Sequence, residues 1–258
     1  MIDRDATPRL LRFAAPALIA VLLLAAWQAL VVHYEVPAYI VPSPMVVLRT
    51  LVADRTLLID ALGVTLGIAL TALAIATIVG TLIALLFVQS RWIEMSFFPY
   101  AILLQVTPIV AIAPLIIIWV KDTRIALVLC AVVVAIFPII SNTTLGLRSV
   151  DPQLLNLFRM CRASRWQILW RLRVPSALPY FFGGLRIAIV STVSIATIAA
   201  FIGDRGLGYP IFLALQEPTP FKTEIYSAGF LVVALALTCD VVLVAVRRAL
   251  VPWTRVHQ

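Results

Sequence analysis

Hydrophobic positions in this chain fall in long unbroken runs, without the alternation of a half-buried strand or the one-sided stripe of a soluble helix. Uncharged stretches cover residues 13–33, 61–90, 95–120 and 125–147. A fifth, 187–203, is shorter but extends backwards through 179–185, past one arginine. A sixth, 225–246, is interrupted only by Asp240. A bilayer core about 30 Å thick is crossed by roughly 20 helical residues rising about 1.5 Å each. The pattern predicts an all-α integral membrane protein with six transmembrane helices and both termini on one side. Arg4, Arg9 and Arg12 precede the first run, as in a signal peptide. That run is longer than such a peptide's apolar core and no small-x-small site closes it, so it reads as an uncleaved first span.

Composition agrees. Of the 258 residues 63% are hydrophobic and 12% charged, and the mean hydropathy is +1.08. Soluble domains carry about 45–50% apolar and about 25% charged residues; one core cannot bury this excess, so the bilayer is its solvent. The net charge of +8 would suggest nucleic acid in a soluble protein. Here the basic residues cluster between apolar runs, which orients the chain instead. With the N-terminus inside, cytoplasmic segments hold 14 of the 20 lysines and arginines, Arg186 among them. The outside keeps Arg49, Arg55, Lys121, Arg124, Arg205 and Lys222. The expected location is a cell (inner) membrane, multi-pass, with cytoplasmic N- and C-termini.

Little catalytic chemistry is present. Cys130, Cys161 and Cys239 stand apart, and His33 and His257 are the only histidines. Neither a disulfide framework nor a metal site is expected. No phosphate-cradling GxxxxGK[ST], HExxH or GxSxG occurs, so this chain is expected to bind no cofactor and hydrolyse no ATP. Gly203, Gly206 and Gly208 form no dinucleotide fingerprint. Polar residues inside the spans are the candidates for a translocation path. They are Thr107 with Pro108, Asn142 with Thr143 and Thr144, and Ser191, Ser194 and Thr197, the last three within about 120° of one helix face. Hydrogen bonding between packed helices is the alternative for each. Asp240 is either a functional intramembrane carboxylate or the partner of a nearby arginine. Pro99, Pro108, Pro114 and Pro138 kink the third and fourth spans or open them to a water-lined path. Ser43 and Pro44 read as the N-cap and first residue of a short outer surface helix running to about Ala53.

Residues 151–179, DPQLLNLFRMCRASRWQILWRLRVPSALP, are not an ordinary connection. Leu154, Leu155, Leu157, Phe158, Ile168, Leu169 and Leu172 recur at helical spacing among five arginines. Loops within bundles need only about 2–8 residues. The segment is a helix on anionic lipid, a solvated hairpin, or a docking surface for a partner protein.

Several stretches in order, "VPAYIVPSP", "FPIISNTTLGLRSVDPQLL" and "RASRWQILWRLRVPSALPYFFGGLRIA", resemble the permeases of type I ABC importers. The resemblance covers about residues 36–250 and lies in the branch handling sulfonates, taurine, nitrate and pyrimidine-type precursors. The stretch "FIGDRGLGYPIFLAL", 201–215, is similar to the betaine/choline branch. The resemblance implies a type I importer permease fold in which cytoplasmic coupling helices at 151–173 sit in a separate ABC ATPase subunit. It also implies a homodimer in the lipid bilayer and an extracytoplasmic solute-binding protein that delivers a small solute, with ATP and Mg held by the partner and no nucleic acid involved. The family's cytoplasmic motif, EAA, three residues, Gly and then I-x-L-P, aligns Asn156 with Glu, Leu157 and Phe158 with the alanines, and Arg162 with the glycine. Leu172, Val174 and Pro175 match the tail. With arginine in place of the turn glycine, another turn geometry is expected. The coupling residues implied are Asn156, Phe158, Arg159, Arg162, Ala163, Ser164 and Trp166. The chain divides into residues 1–60, the first span and surface helix; 61–247, the transmembrane domain with its coupling segment at 151–175; and a basic tail, 248–258. The membrane component of an energy-coupling-factor vitamin importer lacks "VPSP" and "RVPSALP". An intramembrane enzyme needs clustered His, Asp or Glu, and a proton-coupled carrier needs more spans.

Overall fold

A computed structural model of the protein describes residues 9–38, 40–199, 206–216 and 223–252, with helices and no strand among them. The helices are α1 (Arg9–His33), α2 (Pro44–Ala53), α3 (Arg55–Gln89), α4 (Arg91–Val106), α5 (Ile109–Val120) and α6 (Thr123–Arg148). They continue with α7 (Pro152–Met160), α8 (Arg165–Ile168), a π-helical turn (Leu169–Arg173), α9 (Val174–Ala199), α10 (Gly208–Gln216) and α11 (Thr223–Leu250). Four helical stretches are long and apolar enough to cross a membrane: Arg55–Gln89, Thr123–Arg148, Arg165–Ile198 and Ile225–Leu250. Within α1 the apolar part, Ala17–His33, is shorter.

The uncharged run 95–120 does not form one continuous helix. It breaks at Thr107–Pro108, where α4 and α5 meet at 97°. Pro108 has no N–H to continue the helix and pushes Thr107 into extended backbone, ψ 122°. The Thr107 hydroxyl donates to the Leu103 carbonyl at 2.6 Å and helps to close the broken end.

The chain forms two compact units, one from Met1–Leu58 with Pro210–Gly229, the other from Ile59–Tyr209 with Phe230–Gln258. In the first, Ser43 caps α2 by accepting from the Val46 amide, with Pro44 in the first turn. Gln28 of α1 accepts from the Met45 amide, and the Tyr226 hydroxyl donates to the Ile40 carbonyl.

Small residues let the helices of the second unit approach closely, as they do where lipid offers no hydrophobic drive to association. Ala69, Ala72, Ala76, Ala126, Ala131, Ala135, Ala188 and Ala196 are fully buried. Gly67 of α3 faces Arg124, and Gly80 faces Ile139, so α3 and α6 run parallel. Between two parallel helices the α4–α5 pair must return the chain through the same thickness. The ion pair of Glu94, at the start of α4, with Arg148, at the end of α6, fits that path. Gly184 of α9 packs on Pro138 of α6, and Gly146 of α6 on Ala177 and Tyr180, so α6 and α9 are antiparallel.

The α6–α9 contact gives a direct prediction. A Cβ at Gly146 would lie 2.8 Å from Tyr180 Cβ and 2.9 Å from Ala177 Cα, so the α9 backbone would have to move. Gly146→Ala is expected to destabilise the protein by about 1–3 kcal/mol in detergent unfolding. Gly63→Ala, where nothing lies within 4 Å, should be neutral. Equal midpoints for the two variants would contradict the close approach.

Candidate coupling segment and polar groove

The candidate coupling segment is built from three successive local solutions to unpaired backbone groups. Asp151 caps α7 by accepting from the Gln153 amide at 2.8 Å, with Pro152 at the first helical position. At the other end the Arg162 amide donates to the Arg159 carbonyl at 2.9 Å, and the Ala163 amide to the Phe158 carbonyl at 3.0 Å. This paired closure normally uses a left-handed glycine. Arg162 takes that conformation itself, φ 53°. The expectation that arginine would impose a different turn is therefore corrected. The geometry is kept, at the roughly 1–2 kcal/mol a side chain costs in left-handed backbone.

Two residues on, Ser164 opens α8 with a capping box. Its hydroxyl accepts from the Gln167 amide at 3.2 Å, while Gln167 Oε1 accepts from the Ser164 amide at 2.7 Å. The widened turn Leu169–Arg173 follows. Pro175 cannot donate to the Arg171 carbonyl, and a π-helical turn accommodates that missing bond before α9 begins.

No side chain of α7 is buried. Leu154, Leu157, Met160, Trp166 and Trp170 are exposed, Trp166 by 65% and Trp170 by 61%. Asn156, Arg159, Arg162, Ser164 and Arg165 are exposed around them, while Phe158 and Ala163 are half-buried beside the turn. Asp151 is the only acid in 151–173.

The candidate path residues do not form one set. Ser191 and Ser194 line a groove of about 720 Å³ between α9 and α11, walled by Ile187, Val190, Val233 and Leu237. Their hydroxyls donate to the Ile187 and Val190 carbonyls, each at 2.9 Å, which leaves oxygen lone pairs free to accept. Thr197 points elsewhere: it is buried and donates to the Val193 carbonyl at 2.9 Å. Two successive three-residue steps carry it about 120° round the helix from Ser191. Asn142 donates to the Pro138 carbonyl at 2.9 Å, and its Oδ1 lies 3.9 Å from where a Cβ on Gly183, a groove-lining residue, would sit. Thr107 and Pro108 form the α4–α5 break and do not line the groove; Thr143 and Thr144 are buried.

The groove also holds the arginine partner that is one of the two expectations for Asp240, and that arginine is Arg186. Arg186 grips Asp240 with two bonds, Nε to Oδ1 at 2.6 Å and Nη2 to Oδ2 at 2.7 Å. Arg186 lies well inside α9 rather than in a connection between helices, so it drops out of the expected count of basic loop residues. Two charges of opposite sign, each interrupting an apolar run, were the available signal.

A model of the family described as "Binding-protein-dependent transport system inner membrane component" matches residues 76–256. The chain belongs to this family. It is 30% identical over 243 residues to a formylaminopyrimidine transport permease protein of Halalkalibacterium halodurans, covering 93% of this chain and 96% of that one. It is 33% identical over 250 residues to a riboflavin transport system permease protein of Chloroflexus aurantiacus, covering 94% and 92%. The fold is similar to the crystal structure of an amino acid ABC transporter with histidines, with a TM-score of 0.66, 20% identity, and coverage of 78% of this chain and 97% of that one. The protein is thus the membrane-spanning permease subunit of an ABC importer, and the energy-coupling-type alternative is not favoured.

Proposed function

We propose that this chain works as a homodimer bound on its cytoplasmic face to two separate ABC ATPase subunits, through residues 151–173. An extracytoplasmic binding protein delivers a small solute, ATP and Mg stay on the ATPase, and this chain binds no cofactor. The observation that carries this reading is the exposed surface of Leu154, Leu157, Met160, Trp166 and Trp170, set among arginines. Exposed aromatic and aliphatic groups with arginine make the composition of a protein interface. Local caps already satisfy the segment's backbone, so the surface is preorganised. In this reading six crossings, with α4–α5 counted as one, leave both termini in the cytoplasm, in line with the basic-residue asymmetry. The names of the two relatives point to a nitrogen heterocycle as the solute.

Co-expression with a candidate ABC ATPase subunit from the same organism tests the reading. The two chains should copurify, with ATP hydrolysis in the complex and none in this chain alone. Hydrolysis by this chain alone, or no stable complex with that ATPase, would overturn it.

A further inference from the structure

Arg186 and Asp240 are the only charged residues in the middle of any described span. They are not sealed between helices: the arginine side chain is 43% exposed and the carboxylate 22%. Charged groups at this depth face a bundle interior or a water-filled cavity rather than acyl chains. A guanidinium carries five N–H donors and only two are engaged by Asp240. Arg186 with three donors not taken by the carboxylate, Asp240, Ser191 and Ser194 thus line one groove. From Gly183 to Ser194 that groove runs about 17 Å along α9, roughly half the bilayer core.

The chemistry of the lining selects a ligand. A free anion would need an uncommitted cation, and Arg186 is already neutralised. A quaternary ammonium is recognised by aromatic faces, and among the described residues no aromatic side chain lines the groove. What remains is an uncharged solute whose edge carries donors and acceptors side by side, with a body that packs on the aliphatic wall.

We propose that the α9–α11 groove is a solute-binding site of the translocation path, taking an uncharged solute whose donor–acceptor edge is read by Arg186, Asp240 and the two serines. The proposal rests on the importer reading, but its test does not use the ATPase, so the two fail separately.

Single cysteines at Ser191 and Ser194 are introduced into the full chain with native cysteines kept. Reaction with a permanently charged methanethiosulfonate in membrane fragments open on both sides is followed at each peptide by mass spectrometry. Leu22→Cys, on the exposed face of α1, is the lipid-facing control. Both groove positions should react several-fold faster than the control, and uracil or cytosine should slow them while nitrate and choline do not. Reaction no faster than the control would show that the groove is dry and overturn the proposal. So would spontaneous disulfides between two copies at Ser194→Cys, which would make the groove an interface between protomers. Protection by nitrate or choline, or by neither pyrimidine, would overturn the ligand class. Asp240→Asn supplies an independent arm: with Arg186 no longer neutralised, nitrate should now protect Ser191→Cys. Failure of nitrate to gain that effect counts against Arg186 as the groove's donor.

Discussion

Asp240→Ala is expected to destabilise the protein by leaving an unpaired charge inside its spans. It leaves the Arg186 guanidinium without its two carboxylate bonds, 2.6 and 2.7 Å long, inside a membrane-spanning helix. An unpaired arginine at the centre of a membrane helix costs about 2.5–3.5 kcal/mol on insertion scales. The pair is open on one side, with its side chains 43% and 22% exposed, so water reaching the groove offsets part of that cost. A loss of about 2 kcal/mol in mixed-micelle unfolding is the expected result. The double replacement Arg186→Leu/Asp240→Leu removes both charges, and exchange of a paired charge for apolar groups is often neutral. It should recover most of the stability. If the pair also reads solute, transport driven by the assembled complex should stay low in the stable double variant. Restored transport there would reduce the pair to a clasp between α9 and α11.

How much of this was legible in the sequence depended on whether the signal was periodic or spatial. Runs of apolar residues revealed the long helices because the bilayer imposes length and polarity directly on the chain. The Ser43–Pro44 start of α2 was readable for a similar local reason, since a cap and a fixed φ are properties of adjacent residues. The 97° break in the third run was signalled only as Pro108 among four prolines, and sequence does not say which proline bends sharply and which is absorbed. Pro138 lies inside an unbroken α6, where its carbonyl also accepts from Asn142. The groove was half visible. Ser191 and Ser194 follow from helical spacing, whereas Thr197 drifts off the face and Arg186 meets Asp240 only through the packing of α9 on α11. Arg162 is the reverse case. Its identity argued against the left-handed turn, and the neighbouring hydrogen bonds from Arg162 and Ala163, with the capping box at Ser164, hold it there regardless.

Trp166→Ala should separate assembly from insertion. Trp166 is exposed by 65% and lies in the first turn of α8, just after the Arg162 turn. A large aromatic group with no intramolecular cover is the type of residue that dominates an interface, commonly by about 2 kcal/mol or more on truncation. At 1.4 kcal/mol per factor of ten, the complex with the ATPase should weaken by roughly 30-fold. Membrane insertion and unfolding midpoint should not change, because the side chain supports nothing within the fold. Phe158→Ala is the weaker test, since that ring is half-buried beside the turn and its loss will also loosen the end of α7. Arg162→Gly addresses the rim. Glycine adopts φ 53° without strain, so the turn should survive. Charges at an interface rim act mainly on encounter rate and salt dependence. The glycine variant should therefore assemble, and its copurification with the ATPase should fall less steeply as salt is raised. An unchanged salt series would mean that Arg162 faces no acidic group on the ATPase. Trp166→Ala with full assembly and full coupled ATP hydrolysis would remove the docking role from this surface and leave its exposed side chains to the lipid headgroups.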